Sequence, residues 1–271
     1  MKVFVITGAS DGIGAELARQ LAAAHGAQAG LMLAARNRDK LEAVAAQCQV
    51  RGARAEVAQI NVSEEPQCRA LIDMAVQAFG RIDVLINNAG VSAHALFADV
   101  KAQDLHWYEN LMAINLWGSV WCTHAALPHL KASGGQIVAV SSVAGLIGVP
   151  GRTAYSASKF AMTGFFESLR AELKSSGVGV TIAYPGVVAT AIRYRGYNAK
   201  GEAAGVSGLK EEKAMSVEQC ARLIIEGMNR RRREIVMTAG ARLGRFAKLI
   251  VPGMVEKVAL AALKEEVRPR K

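Results

Sequence analysis

Lys2-Val3-Phe4-Val5-Ile6-Thr7-Gly8-Ala9-Ser10-Asp11-Gly12-Ile13-Gly14 opens the chain of 271 residues. Lys2 to Thr7 is an apolar run rich in Val and Ile, the pattern of a buried strand. A glycine turn follows at once, and a helical pattern then runs to His25. Strand, glycine turn and helix in that order bring a backbone close to a pyrophosphate, and the unpaired N–H groups and positive dipole of the helix N-terminus attract it. The spacing is Gly-x-x-x-Gly-x-Gly rather than the commoner Gly-x-Gly-x-x-Gly. A generic glycine-rich turn is the plainer alternative. The strand before and the helix after favour a dinucleotide site made by Gly8, Ser10, Asp11, Gly12, Ile13 and Gly14.

Strand and helix patterns continue to alternate. Strands are predicted at Ala29–Ala35, Arg54–Ile60, Ile82–Ile86, Gln136–Val140, Val178–Tyr184 and Glu234–Thr238. Helices are predicted at Glu64–Phe79, Leu105–Leu130, Ala154–Leu173 and Ser216–Arg230, the last with Ser216 as N-cap. This predicts an α/β fold: a Rossmann-type doubly wound, mostly parallel sheet flanked by helices. Ligands of such sheets bind at the carboxyl ends of the strands. Asn87-Asn88-Ala89-Gly90 closes one strand with small residues that let the chain pass beside a flat nucleotide, and the glycine turn, Arg36, Asn88, Ser142 and Pro185 all fall at strand ends.

The second strand ends in Ala35-Arg36-Asn37-Arg38-Asp39-Lys40. A site selecting NAD would place an acid here to accept from the ribose hydroxyls. Arg36 instead suits a 2′-phosphate, and Lys40, four residues on, can join the clamp. NADP(H) is therefore the expected cofactor; the alternative is a solvated basic helix start.

Tyr155-Ser156-Ala157-Ser158-Lys159 lies at the start of the Ala154–Leu173 helix. Residues four apart share a helix face, so a phenol and an ammonium can point the same way. A nearby cation favours phenolate, which fits a phenol for giving a proton to a ketone or taking one from an alcohol. Taken alone, such a pair is more often a solvated Lys beside a half-buried Tyr; the other motifs overturn that.

Hydrophobic residues make up 51% of the chain, enough for one sizeable domain with at most a modest appendage. The net charge of +10 admits nucleic acid, an anionic membrane or an anionic cofactor as partner. No aromatic-interleaved basic stripe or zinc pattern supports nucleic acid. The four Cys are scattered without a CxxC and read as reduced thiols of a cytoplasmic protein; the five His show no metal-ligand spacing, so no metal is expected. The N-terminal apolar run is too short for a signal peptide, and no apolar run has the length of a membrane span.

With Thr7-Gly8-x-x-x-Gly12-x-Gly14, Asn87-Asn88-Ala89-Gly90, Asn115, Ser142, Tyr155-x-x-x-Lys159 and Pro185-Gly186-x-Val188-x-Thr190 in order, residues 1–238 resemble the short-chain dehydrogenase/reductase family. Leu33-Ala34-Ala35-Arg36-Asn37 and the tail past Met237 are similar to bacterial relatives of lipid- and steroid-type ketone reductases such as 3-ketodihydrosphingosine reductases. The resemblance implies an NADP(H)-dependent interconversion of a ketone and a secondary alcohol, on a lipophilic substrate, by a homodimer or homotetramer. It implies Tyr155 as acid/base, Lys159 on Tyr155 and the nicotinamide ribose, Ser142 on the substrate carbonyl, and Asn115 holding a water toward Lys159. It adds Asn61, Val62, Asn88, Ala89, Gly90, Pro185, Gly186, Val188 and Thr190 to the cofactor site, with Tyr155 and Lys159. Two positions depart from the family pattern. Asn61 stands where an Asp often contacts adenine. Asp11 stands where some NADP-preferring members carry a basic residue, so the phosphate clamp rests on Arg36 and Lys40.

Residues 1–238 thus form the expected catalytic domain. Its segment 191–215, rich in Gly and charge and too long for an ordinary connection, is expected to be a mobile substrate lid. Val143, Ala144, Ile147, Val149, Val187 and the segment near His94 could line an apolar pocket or be plain core. Residues 239–271 form a C-terminal amphipathic helical extension. There Leu243, Phe246 and Ile250 share one helix face and Arg242, Arg245 and Lys248 the other. Such a helix, over 241–263, can lie on the inner face of a membrane, pack on a partner subunit or roof the substrate cleft. Arg230 to Arg233 are expected to form a solvated turn. A nucleotide-binding sensor or scaffold without turnover is the competing function; the full set Asn115, Ser142, Tyr155 and Lys159 argues against it.

Overall fold

The computed structural model describes residues 1–209, 212 and 214–263; lid positions 210, 211 and 213 and extension positions 264–271 lie outside the described residues. The strands are β1 (Lys2–Thr7), β2 (Ala29–Ala35), β3 (Arg54–Gln59), β4 (Val84–Asn87), β5 (Gln136–Val140), β6 (Gly179–Tyr184) and β7 (Glu234–Val236). The helices are α1 (Gly12–His25), α2 (Arg38–Gln49), α3 (Glu65–Phe79), α4 (His106–Met112), α5 (Gly118–Ser133), α6 (Thr153–Glu172), α7 (Val217–Asn229), α8 (Ala239–Ile250) and α9 (Pro252–Ala261). All strand pairs are parallel and the sheet order is β3-β2-β1-β4-β5-β6-β7. The order reverses between β1 and β4, which opens a crevice at their carboxyl ends.

Both faces of the sheet are covered, so its inner strands read as largely apolar runs, while β3 at the edge alternates buried and exposed residues. Phe4 and Ile6 of β1 pack with Leu17 and Leu21 of α1, Val44 of α2 and Ile224 of α7. Val5, one residue out of phase, packs with Leu71 of α3, Ala126 of α5 and Phe166 of α6 on the other face. Burying each such side chain contributes roughly 1.5–3 kcal/mol relative to leaving it in water. Cys48 and Cys220 belong to these cores; burial pushes their thiols up to about 11 and about 12, so they act as small apolar residues.

One stretch differs from the sequence expectation, and two make contacts that the sequence does not show. The predicted Leu105–Leu130 helix is α4 and α5 joined by a π-helical turn, Ala113–Trp117, with Asn115 at its centre. The Asn115 side chain reaches out to the Val91 backbone (2.8 and 3.0 Å), and its main-chain oxygen accepts from Ser119 (3.2 Å). Arg230 to Arg233 are exposed at the end of α7, as expected; Arg231 also adopts a left-handed conformation, φ 46°, and its guanidinium donates to the carbonyls of Gly177 at 2.9 Å and Gly134 at 2.5 Å. The described residues of the 191–215 segment, the expected lid, make contacts with the domain that the sequence does not show. Tyr197 exchanges backbone hydrogen bonds with Ser92 and His94, Ala189 donates to Met215, and Arg193 and Ser207 are buried.

α6 reaches its place through a close approach. A Cβ at Gly145, in the turn after β5, would lie 2.6 Å from the Lys159 carbonyl oxygen and 2.7 Å from Ser141 Oγ. Gly145→Ala should therefore destabilise the protein by roughly 1–3 kcal/mol through overpacking. Urea unfolding checks this, and an unchanged midpoint would contradict the seating of α6 described here.

Candidate active site

The glycine turn is built by backbone contact. Gly8 has φ +66°, and a Cβ there would lie 2.8 Å from Ala89 Cα; a Cβ at Gly14 would lie 2.3 Å from the Gly8 oxygen and 2.5 Å from Asn88 Nδ2. The Asn88 amide donates to the oxygens of Thr7 (2.9 Å) and Gly8 (3.2 Å), and the Thr7 hydroxyl accepts from the N–H groups of Asn88 and Ala89, both at 3.0 Å. Asn88 thus locks the turn to the end of β4. Asp11 caps α1, accepting from Gly12 N–H at 2.7 Å, and pairs with Arg195 at 2.6 Å. Burial raises the Asp11 carboxyl, but the Gly12 N–H and the Arg195 guanidinium outweigh it and leave the group below its ordinary value.

A single cavity of about 1220 Å³ runs along the carboxyl ends of the strands. Its wall holds Gly8, Ser10, Asp11, Gly12, Ile13, Arg36, Lys40, Asn61, Val62, Asn88, Ala89, Gly90, Ser142, Tyr155, Lys159, Pro185, Gly186, Val188 and Thr190. Of the residues assigned from the sequence, Gly14 and Asn115 alone stand behind the wall. Gly14 shapes the turn, and Asn115, fully buried, holds Val91 and donates to Ser158 Oγ at 3.0 Å. The turn at the N-terminus of α1, whose Gly8, Ser10, Asp11, Gly12 and Ile13 border the cavity, fits a dinucleotide pyrophosphate. Arg36 and Lys40 are exposed at the end of the cavity beside β2 and α2, where Asn37 caps α2 by accepting from Lys40 N–H. The Asn61 side-chain oxygen accepts from Ser63 N–H at 3.2 Å, which occupies one of its two lone pairs.

Tyr155, Lys159 and Ser142 meet at the other end. Ser142 Oγ accepts from Ala144 N–H at 3.2 Å, which leaves its proton to donate. Lys159 is 3% exposed; its Nζ donates to the Val140 carbonyl at 3.0 Å and lies 5.8 Å from the Tyr155 ring centre. Burial holds the Lys159 ammonium below its ordinary value, Tyr155 pulls it up and Arg152 pushes it further down. Val143, Ala144, Ile147, Val149 and Val187 also border the cavity, while His94 does not.

Three cations of the cavity wall are absent from the sequence reading: Arg152, Arg193 and Arg195. An Arg just ahead of a helix or within a glycine-rich loop reads as solvated, and no sequence pattern shows that tertiary contacts bury Arg152 and Arg193 or pair the exposed Arg195 with Asp11. Roofing by the extension was one of the alternatives open, and α8 and α9 do supply wall through Leu243, Ala247, Met254 and Val258. The expected basic face of α8, however, turns inward. Arg242 donates to the Val236 carbonyl, Arg245 pairs with Glu234 and Lys248 donates to the Leu146 carbonyl. The outward face is apolar: Phe246, Leu249 and Ile250 are all exposed. Among the described residues no helix is long and apolar enough to cross a membrane.

A sequence profile described as short chain dehydrogenase matches residues 2–200. 11-beta-hydroxysteroid dehydrogenase 1A of Arabidopsis thaliana is 34% identical over 94% of this chain and 73% of its own length. 11-beta-hydroxysteroid dehydrogenase-like 4A of the same plant is 42% identical over 69% of this chain, which spans only 61% of that relative. Among solved structures, a short chain dehydrogenase/reductase from Burkholderia phymatum in complex with NAD superposes with a TM-score of 0.78 at 26% identity, covering 92% of this chain and 94% of that one. An alcohol dehydrogenase from the archaeon Thermococcus sibiricus complexed with 5-hydroxy-NADP shares the fold, with a TM-score of 0.72 at 24% identity over 87% and 94%. Glycine cradle, parallel sheet and profile agree, and the chain belongs to the short-chain dehydrogenase/reductase family.

Proposed function

We propose that the protein interconverts a ketone and a secondary alcohol of a lipophilic substrate, with NADP(H) as cofactor. The observation that carries this reading is the sharing of one cavity wall by the glycine cradle and by Tyr155, Ser142 and Lys159. When bound, the nicotinamide supplies or accepts the hydride. Ser142 Oγ–H donates to the substrate oxygen and holds it beside Tyr155. The Tyr155 hydroxyl gives that oxygen a proton in reduction and takes it back in oxidation. The Lys159 ammonium, fixed on the Val140 carbonyl, stabilises negative charge on the phenolic oxygen and reaches toward the ribose. Asn115, through Val91, keeps the chain after β4 in register with α6. The π-helical turn over Ala113–Trp117 supports Asn115 as the holder of a relay water toward Lys159.

Arg36 and Lys40 support NADP(H). Both border the cavity, and the Lys40 ammonium acts on the Asp11 carboxylate without closing a salt bridge among the described residues. The two solved relatives carry different dinucleotides, so this pair is the discriminating feature. The wall from Ile147, Val149, Leu243, Met254 and Val258 supports a lipophilic substrate, in keeping with the steroid-dehydrogenase names of the relatives. The apolar outer face of α8 supports contact of the 239–271 extension with a membrane surface or with a second copy in a homodimer or homotetramer. Residues 191–215 serve as the lid over the substrate.

Tyr155→Phe should lower kcat by at least about 10²-fold while the NADPH dissociation constant stays unchanged. Near-normal turnover in that variant would exclude the mechanism, and no turnover of any ketone by the wild type would favour a nucleotide-binding sensor. The ratio of kcat/KM for NADPH over NADH should exceed one and fall roughly tenfold or more in Arg36→Glu; a wild-type ratio below one overturns the cofactor assignment. A chain ending at Gly240 should lose binding to anionic liposomes if α8 and α9 meet lipid, and should change its sedimentation mass if they meet a second copy; unchanged behaviour in both removes the contact role.

A further inference from the structure

Arg152 stands three residues before Tyr155 and is buried. Its guanidinium carbon lies 4.2 Å from the Tyr155 ring centre, closer than the Lys159 ammonium at 5.8 Å. Its Nε donates to the Ala93 carbonyl at 3.2 Å and another nitrogen donates to Ser92 Oγ. The chain at 92–95 carries the lid: Ser92 and His94 exchange backbone hydrogen bonds with Tyr197, and Ala95 N–H donates to the Gly151 carbonyl. Arg152 is therefore the joint between the phenol, the loop after β4 and the 191–215 segment. A buried guanidinium is costly unless its donors are satisfied, and the hydrogen bonds here are to neutral oxygens.

We infer that Arg152 is a positioning residue for Tyr155, holding the ring by a stacked cation and supplying a second positive charge, beside Lys159, that favours the phenolate. This rests on the proposed acid/base role of Tyr155. A cation over an aromatic face is attracted to it, and a positive charge within a few ångströms stabilises the ionised phenol. The groups facing this corner are Lys159 on the same helix, Arg193 from the 191–215 segment and His94 from the loop after β4. Burial holds the Arg152 guanidinium below its ordinary value, Tyr155 pulls it up and Arg193 pushes it down; burial likewise holds His94 below its ordinary value. Among the described residues no carboxylate acts on Arg152 or Lys159, and the Tyr155 oxygen is the group that raises both cations.

Arg152→Gln keeps amide donors for Ala93 and Ser92 and removes the charge. In alcohol oxidation, which needs the phenolate, the pH of half-maximal kcat should rise by about one unit in Arg152→Gln, and Arg152→Lys should restore most of it. A uniform loss of kcat with an unmoved midpoint, or no restoration by Lys, overturns the charge role. Ultraviolet tyrosinate titration, taken as the difference between each protein and its Tyr155→Phe counterpart, reads the same property without turnover. The Tyr155 signal should appear at higher pH in Arg152→Gln, and an unmoved signal overturns the inference. If the wild type turns over no alcohol, the reaction assignment fails while this titration still decides the role of Arg152. If Arg152→Gln does not fold, the titration of Arg152→Lys decides: a midpoint kept near wild type supports the inference, and one raised as far as a charge loss would raise it overturns it.

Discussion

A buried ammonium resting on a backbone carbonyl is the constraint around which this molecule is arranged. Lys159 Nζ donates to the Val140 oxygen at the end of β5, and no carboxylate accompanies it among the described residues. Taking such a charge out of water is unfavourable by several kcal/mol unless something compensates. A structural lysine would be paired or would reach solvent. Here the compensation lies in the cleft: the carbonyl dipole, the phenol one helical turn away, and the negatively charged dinucleotide that the glycine cradle fits.

The rest of the fold serves to keep that lysine in place. Parallel pairing puts the ends of β1, β4, β5 and β6 side by side, so residues far apart in sequence face one crevice. Gly145 lets α6 approach the turn after β5 closely enough that the Lys159 main chain touches it, and Asn88 ties the glycine turn to β4. The π-helical turn at Ala113–Trp117 places the Asn115 amide on Val91 and Ser158, which links the loop after β4 to α6. π-turns cost regular hydrogen bonding and tend to occur at functional positions.

Much of this was legible in the chain because it depends on local chemistry. β1, β2 and β5 are apolar runs bounded by turn residues, and the expected and observed strands coincide at Lys2–Thr7, Ala29–Ala35 and Gln136–Val140. The Ser216 cap was legible for the same reason. What escaped depends on tertiary context. Periodicity cannot show one extra residue in a helical turn, so α4 and α5 read as one helix. Amphipathic spacing shows two faces of α8 but not which faces inward, and Arg242, Arg245 and Lys248 proved to grip the domain while Phe246 and Ile250 face outward. Arg152 and Arg193 looked like surface charge because burial of a guanidinium is decided by residues distant in sequence; Arg195 is indeed exposed, and what the sequence hid was its pairing with Asp11.

The most direct test is a crystal structure of the protein with NADP(H) and a ketone or alcohol bound in the cleft. The account predicts the pyrophosphate on the Gly8–Gly14 turn, the 2′-phosphate beside Arg36, and the nicotinamide ring next to Tyr155 and Lys159, with the substrate oxygen between Tyr155 and Ser142. A dinucleotide lying in the opposite direction, or a substrate oxygen out of reach of the Tyr155 hydroxyl, would contradict it.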